Sequence, residues 1–176
     1  MKTAIVRHVD SLGRIVIPSE IRSTMKIKPG DLLGIEIDGP NIQLYKYSPY
    51  EPNDKEIKAI LNILYEVVPC GALVCTDDMV LGTKGICIST SSPIPELLAE
   101  YVRKGEEIIF PISSYINIFP QVKEPMAALF PIKSSDSGVS NLALVIFPHK
   151  GRAFTSMELG SAKLVAAALS HHLKKE

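Results

Sequence analysis

The chain has few of the residues that build covalent or metal-centred frameworks. Its 176 residues include no tryptophan and three cysteines, Cys70, Cys75 and Cys87. That number is odd, and no two of them have the Cys-x-x-Cys spacing of a zinc or redox motif. All three lie in apolar stretches, so we expect buried thiols in a reducing compartment and predict neither a disulfide framework nor a metal site.

Long hydrophobic runs are also missing. No apolar stretch reaches the ~18–20 residues that a membrane helix needs. Residues 1–8 lack the apolar core of a signal peptide. These absences predict a cytoplasmic protein with no membrane contact.

Catalytic motifs are absent as well. The sequence contains no Gly-x-Ser-x-Gly, no Walker loop, no His-Glu-x-x-His and no dinucleotide-binding fingerprint. We therefore predict that the protein is not an enzyme, that it has no catalytic residues and that it needs no cofactor.

The net charge is zero, but the charges are unevenly distributed. Residues 1–28 carry six basic and two acidic side chains, a net charge of +4, which leaves −4 for the rest of the chain. A twofold dimer would double that positive charge on one surface. Clustered basic charge of this kind is typical of proteins that bind nucleic acid.

The first fifty residues are predicted to form two β-hairpins joined by a short helix. Residues 3–9 and 15–17 are predicted strands around a turn at 10–13, where Gly13 is free to adopt positive φ. A short helix follows Pro18 over residues 19–25. From residue 33 to residue 45, apolar and polar side chains alternate on either side of a turn, which predicts a second hairpin.

This N-terminal segment is too small to bury a core by itself. Chains of this size usually need disulfides, a metal or oligomerisation, and the first two are not predicted here. We therefore predict that residues 1–50 form a homodimer in which two chains share one core.

A proline-containing linker at residues 51–55 separates this segment from a second domain at residues 56–176. Three helical patterns lie in the second domain, over residues 54–68, 94–102 and 155–174, and Asp54 and Thr155 are suited to cap the first and the third. On the third helix, Ser161, Leu164, Val165, Ala168, Leu169 and His172 are predicted to line one apolar face. Strand-like runs occur at 72–76, 80–82, 108–110, 127–131 and 142–147. The order α-β-β-α-β-β-β-α predicts an α+β domain with a mainly antiparallel sheet.

The residues from Ile5 to Met25 resemble the AbrB-type swapped-hairpin DNA-binding domain. The resemblance rests on Asp10-Ser11-Leu12-Gly13-Arg14-Ile15-Val16-Ile17-Pro18 followed by Glu20-Ile21-Arg22, and it continues to about residue 50. It covers a little over a quarter of the chain. It implies an interleaved, β-rich homodimer whose first hairpin and short helix face double-stranded DNA.

The resemblance places Arg7, Arg14 and Arg22 on the DNA-facing side, and with them we predict contacts from His8 and Lys26. The arginine fork suits phosphates and guanine edges. The family usually has Lys or Arg where this chain has His8, and a second Arg where it has Ser23. Both departures remove charge, so we expect weaker or differently specific DNA binding.

The layout of two domains resembles sporulation regulators of this family, in which the second domain is a GAF domain. The resemblance implies a GAF-like sensor or oligomerisation domain, and we predict an unknown small-molecule effector near Tyr101, Tyr115 and Phe119. The helices at 54–68 and 155–174 are predicted to pack between chains, which would make a tetramer. The alternative hypothesis is an antitoxin-type module that binds a protein partner.

Overall fold

The computed structural model of the chain describes residues 5–48, 50, 54–133 and 141–173. It contains two compact units, Met1–Ser48 and Pro49–Glu176. Tyr50 is buried in the core of the second unit. The predicted boundaries 1–50, 51–55 and 56–176 stay predictions, and residues 51–53 of the predicted linker lie outside the described residues.

The first predicted hairpin forms its turn but not its strands. The Asp10 N–H donates to the Arg14 carbonyl over 3.0 Å, and the N–H of Gly13, at φ +77°, donates to the Asp10 carbonyl. No strand occurs among the described residues 5–17, so the prediction of strands at 3–9 and 15–17 is wrong for the single chain. A strand needs a hydrogen-bonded neighbour, and these two extended arms have none beyond the turn within the described part of the chain.

The short helix α1 (Ser19–Thr24) confirms the prediction of a helix here. It ends in a Schellman motif: Lys26 lies at φ +53° and its N–H donates to the Ser23 carbonyl over 3.2 Å. The Ile27 N–H donates to the Arg22 carbonyl over 2.8 Å. This motif satisfies two carbonyls that would otherwise lack partners at the end of the helix.

The second hairpin, β1 (Leu33–Asp38) paired with β2 (Asn41–Lys46), is antiparallel as predicted. Its register puts all the aliphatic side chains of the two strands on one face: Leu33, Ile35, Ile37, Ile42 and Leu44. The opposite face is polar, and there the Tyr45 hydroxyl donates to the Glu36 carboxylate over 3.0 Å. The apolar face is uncovered, because Ile37 is 83% exposed, and among residues 5–48 only Pro18 is buried.

The second unit contains a five-stranded sheet in the order β4-β3-β7-β6-β5, in which every neighbouring pair is antiparallel. The strands are β3 (Cys70–Thr76), β4 (Val80–Lys84), β5 (Ile108–Ile109), β6 (Ala128–Ile132) and β7 (Leu142–Pro148). The prediction of an α+β domain with an antiparallel sheet is therefore confirmed. The central strands β3 and β7 are buried on both faces, which explains their continuous apolar runs.

Two layers cover the sheet. Helices α2 (Lys55–Val67) and α4 (Ser156–His172) pack on one face. Helix α3 (Glu96–Lys104) and the segment before β6 pack on the other. The end of α4 is tied to the start of α2 by His172, whose Nδ1 lies 2.6 Å from the Glu56 carboxylate.

The predicted apolar face of α4 is wrong in part. The structure buries Ala162, Ala166 and Leu169 against the sheet, and leaves Leu164 71% exposed. The helix is apolar around much of its circumference, so periodicity could not indicate which side the sheet would take. Residue 174, at the predicted end of this helix, lies outside the described residues.

The prediction of three buried thiols is also wrong in part. Cys70 and Cys75 are buried, whereas Cys87 is exposed in the connection after β4. Burial raises the pKa of the Cys70 thiol to about 12 and also raises that of Cys75. The two buried thiols are therefore inert, uncharged packing groups at neutral pH.

A capping box formed by Thr155 and Glu158 begins α4, and it confirms the prediction that Thr155 caps this helix. The Glu158 N–H donates to Thr155 Oγ1 over 3.2 Å, and the Thr155 N–H donates to the Glu158 carboxylate over 2.8 Å. Both terminal nitrogens of Arg152 donate hydrogen bonds to the same carboxylate, over 3.0 and 2.5 Å. These hydrogen bonds, the one from Arg152 first, lower the pKa of Glu158 to about 2.

We expect the Glu158→Gln variant to lose stability at neutral pH but not in acid. The folded-state pKa lies below its ordinary value of 4.5, so the carboxylate stabilises the fold above that value, and this contribution is lost as the pH falls towards 2. Urea unfolding of the full chain, followed by circular dichroism, should show a loss of about 1–2 kcal/mol at pH 7 that disappears near pH 2. The control Glu66→Gln removes an exposed carboxylate from α2. An equal loss in both variants, or a loss independent of pH, would contradict the expectation.

In the described part of the chain, no helix is long and apolar enough to cross a membrane. Over the same residues, no cluster of His, Cys, Asp and Glu side chains has the arrangement of a metal site.

Candidate nucleic-acid interface

The five side chains predicted to contact DNA are all exposed in the first unit: Arg7, His8, Arg14, Arg22 and Lys26. They come from three places along the chain. Arg7 and His8 lie on the first extended arm, Arg14 follows the turn, and Arg22 and Lys26 belong to α1 and its C-terminal cap. Exposure leaves each of these side chains available to a phosphate or a base edge.

Asp10 organises the turn that carries Arg14. One carboxylate oxygen of Asp10 accepts hydrogen bonds from the N–H groups of Leu12 and Arg14, both at 2.9 Å. The other oxygen accepts from Arg14 Nε over 2.7 Å. The Arg14 backbone and side chain, followed by Leu12, hold the pKa of Asp10 below its usual range. Because the contact uses only Nε, the two terminal nitrogens of the Arg14 fork are left to face a ligand.

Arg7 and Arg22, which are fifteen positions apart in the sequence, lie near one carboxylate. Hydrogen bonds from its own backbone and from Ser19 lower the pKa of Glu20, and the charges of Arg7 and Arg22 lower it further. Both guanidinium groups are therefore within electrostatic range of Glu20. Spacing along the sequence does not reveal this proximity of Arg7 to the short helix.

Lys26 occupies a position in the backbone that favours glycine. Its φ of +53° is in the left-handed region, where an L side chain costs roughly 1–2 kcal/mol. A charged side chain is therefore present at the end of α1 in a backbone conformation that costs free energy. A cation at a helix C-terminus is also stabilised by the helix dipole.

We expect Lys26→Gly to stabilise the fold while weakening DNA binding. Glycine relieves the left-handed strain, so the free energy of unfolding should rise by about 0.5–1 kcal/mol in urea titrations of the full chain. The lost charge should reduce the slope of log affinity against log salt by about one for each chain. Lys28→Gly is the matched control, since it removes a neighbouring exposed lysine at negative φ that is not a predicted contact, and it should give neither the gain in stability nor the same loss of DNA binding. Unchanged DNA affinity in Lys26→Gly would remove Lys26 from the interface.

Two acidic residues of this surface were not predicted as part of it. The sequence pattern indicated that Asp10 belongs to a turn and that Glu20 belongs to a short helix. The structure shows that Asp10 fixes Arg14, and that Glu20 is within electrostatic range of Arg7 and Arg22. The spacing Asp-x-x-Gly-Arg is the signal for the first of these, because a tight turn returns the arginine to the aspartate.

The three residues predicted to bind an effector have different surroundings in the second unit. Tyr115 lines an apolar cavity. Tyr101 packs edge to face against Phe110, with ring centres 6.0 Å apart. Phe119 is buried against Phe147 in the core.

The N-terminal residues of the chain are similar to known proteins. Residues 6–52 match the family described as "Antidote-toxin recognition MazE, bacterial antitoxin". Over 47 residues the chain is 53% identical to the transition state regulatory protein AbrB of Bacillus subtilis (strain 168), which is 27% of this chain and 49% of that protein. The chain has an N-terminal β-hairpin domain of the AbrB/MazE type. This domain is also 46% identical, over 46 residues, to the putative transition state regulator Abh of the same organism, spanning 26% of this chain and 50% of that protein.

The similarity extends beyond the AbrB/MazE-type domain. The chain is 27% identical to stage V sporulation protein T of Bacillus subtilis (strain 168) over 178 residues, which covers 98% of each chain. The similarity therefore spans both units of this chain. The named relatives are regulators or a sporulation protein, and none is named as an enzyme.

Proposed function

We propose that this protein is a sequence-specific DNA-binding transcriptional regulator that acts as a homodimer through its AbrB/MazE-type domain. The observation that carries the proposal is the set of exposed arginines of this domain, Arg7, Arg14 and Arg22, of which Arg14 is fixed by Asp10. Six such arginines in a dimer are near the number of phosphate contacts at which salt-dependent binding becomes useful. The relatives that are named as regulators support the same function.

The apolar face of the β1–β2 hairpin supports a second copy of this chain as its cover. A lone two-stranded hairpin is marginally stable in water, and a sheet with one apolar face needs another layer against it. In the described part of the first unit no layer covers this face, and the side chains of Ile37 and Ile42 are strongly exposed. A symmetric copy presents the same face, so twofold pairing buries both faces at once. The extended arms at residues 5–9 and 14–17 are suited to pair in the same dimer.

The experiment that tests this function is a titration of double-stranded DNA with the full chain at several salt concentrations. A regulator of this kind should bind with a log–log salt slope of about −5 or steeper, from six or more phosphate contacts. Absence of binding at low salt would overturn the proposal. The arginine variants that locate the surface are treated in the Discussion.

The second unit is proposed to be a GAF-like domain that senses a small molecule and modulates DNA binding. The α+β architecture, with helices on both faces of an antiparallel sheet, and the match to stage V sporulation protein T support this role. A small molecule would modulate DNA binding only to the extent that its affinities for the DNA-binding state and the non-binding state of the protein differ.

Helices α2 and α4 are further proposed to join two dimers into a tetramer. Both helices lie on one face of the sheet, and their outward sides carry exposed apolar residues: Ile63, Val67, Met157 and Leu164. A contiguous apolar layer of this kind on a soluble protein is typical of an association surface.

Leu164→Glu is expected to convert the tetramer into dimers. A charge at the centre of an apolar helical interface should lower the association constant at least about a hundredfold. Sedimentation of the full chain measures this change. Leu97→Glu on α3, which alters an exposed leucine on the opposite side of the sheet, should leave the assembly unchanged. A wild-type chain that sediments as a dimer would contradict the tetramer.

A second candidate function is that of an antitoxin-type module that binds a protein partner, which the MazE match favours. Antitoxins commonly follow their DNA-binding domain with a segment that folds only on its partner. Here the domain is followed by a unit with its own buried core, which favours the regulator. Absence of DNA binding at low salt, or a toxin-like protein that co-purifies with the chain, would favour the partner-binding module.

A further inference from the structure

An apolar cavity in the second unit lies at the β5 edge of the sheet, where the two core layers meet. It encloses about 210 Å³. Its walls include Ile109, Phe110, Ile112, Phe154 and Leu159. The cavity opens to solvent, because Ile109 and Ile112 are about half exposed.

The volume and the walls define the size and charge of a ligand. An apolar cavity of about 150 Å³ accepts benzene, so this one holds a single ring and about two further non-hydrogen atoms. Every residue that lines the cavity is uncharged. A charged group placed against these walls would lose hydration, which disfavours a charged ligand.

Tyr115 supplies the polar side chain of the cavity wall. The Tyr115 hydroxyl is 3.4 Å from the main-chain carbonyl of Arg152, longer than a good O–H···O hydrogen bond. Tyr115 lines the cavity, so its hydroxyl can donate to a ligand hydroxyl in place of this long contact. That hydrogen bond would orient one end of the ligand, while the rest meets apolar walls.

The cavity joins two parts of the fold that the ligand would hold together. One wall is the segment from Pro111 to Tyr115. On either side of this segment, the Phe110 N–H donates to the Ala127 carbonyl over 2.9 Å and the Ile116 N–H donates to the Met126 carbonyl over 3.2 Å. The opposite wall includes Leu159 in the first turns of α4. Filling the cavity would therefore couple this segment to the helix that carries the proposed tetramer surface.

We propose that this cavity is a binding site for a small, neutral, compact apolar molecule with one hydroxyl group, of about eight to ten non-hydrogen atoms. Its role as an effector site rests on the proposed sensing function of the second unit. Of the three residues predicted to bind an effector, Tyr115 lines this cavity.

Benzyl alcohol is the probe, with benzoate and benzylamine as charged probes of the same size. The full chain, labelled at its isoleucine methyl groups, is titrated with each probe in the absence of DNA. Benzyl alcohol should shift the resonances of Ile109 and Ile112 saturably, with a Kd on the order of a millimolar. The two charged probes should bind at least about tenfold more weakly.

Three variants locate the binding. Ala153→Phe adds a ring at an exposed position of the wall and should weaken benzyl alcohol binding at least about tenfold. Tyr115→Phe should weaken benzyl alcohol about three- to tenfold and leave toluene unaffected, because only the hydroxyl is lost. Ile112→Ser should weaken binding, whereas Leu97→Ser, which alters a similarly exposed residue outside the cavity, should not.

Three results would overturn the site: no saturable shift at about ten times the expected Kd, equal binding of the three probes, or full binding by both Ala153→Phe and Ile112→Ser. The DNA titration is separate from this test. If the chain binds the probe but not DNA, the cavity site stands and the regulator proposal fails. If the chain binds DNA but not the probe, the regulator proposal stands and the cavity site fails.

Discussion

Replacing Arg14 and Arg22 together by alanine should abolish most of the DNA binding of this protein. Each side chain is exposed on the basic surface, and a dimer loses four guanidinium groups at once. The slope of log affinity against log salt should flatten by about three to four, and the affinity near 0.1 M salt should fall at least about a hundredfold. Titration of the same duplex at several salt concentrations, with wild type beside the variant, measures both effects.

The loss should not come from unfolding of the turn. Arg14 contributes an exposed ion pair with Asp10, and such pairs are worth little to stability. The Asp10 carboxylate still accepts from the N–H groups of residues 12 and 14, which alanine preserves. The circular dichroism and dimerisation of the variant should therefore match those of the wild type.

A matched control removes the same charge from the second unit. Lys104→Ala with Lys163→Ala takes two exposed basic groups from each chain. If this control loses as much affinity as the arginine variant, binding follows net charge and the predicted surface is wrong. If even the wild type fails to bind at low salt, the partner-binding alternative becomes the favoured function.

Ile37→Lys should separate the dimer and, with it, remove DNA binding. In the single chain Ile37 is so exposed that a lysine would cost almost nothing there. In the proposed dimer the side chain is buried twice, once for each copy, so the change should cost at least about 3–6 kcal/mol of dimer stability. The dimer dissociation constant should then rise by about two to four orders of magnitude.

Gln43→Lys introduces the same charge on the polar face of the same hairpin, opposite Glu36. It should leave the dimer intact, because that face is open to solvent and the new charge meets a carboxylate. Sedimentation at several protein concentrations distinguishes the two variants. A dimer that survives Ile37→Lys unchanged would show that the apolar face of the hairpin is not its interface.

Features that depend on a few neighbouring residues could be predicted from the sequence. The capping of α2 by Asp54 and of α4 by Thr155 with Glu158 needs only side chains and N–H groups within one turn. The second hairpin follows from its alternation, and the strands β3 and β7 from their apolar runs, because two-residue periodicity and burial on both faces leave a direct trace in composition. The resemblance of the N-terminal segment to the AbrB-type domain also needed only its sequence.

Features that depend on which surfaces meet in three dimensions were decided only by the tertiary structure. The side of α4 that faces the sheet could not be predicted, since that helix is apolar on more than one face. The exposure of Cys87, the approach of Arg7 and Arg22 to Glu20 and the cavity beside Tyr115 all join or separate residues far apart in the chain. The sequence determined the local elements because their energies are local, and the tertiary structure decided the sites because packing and charge act between distant segments.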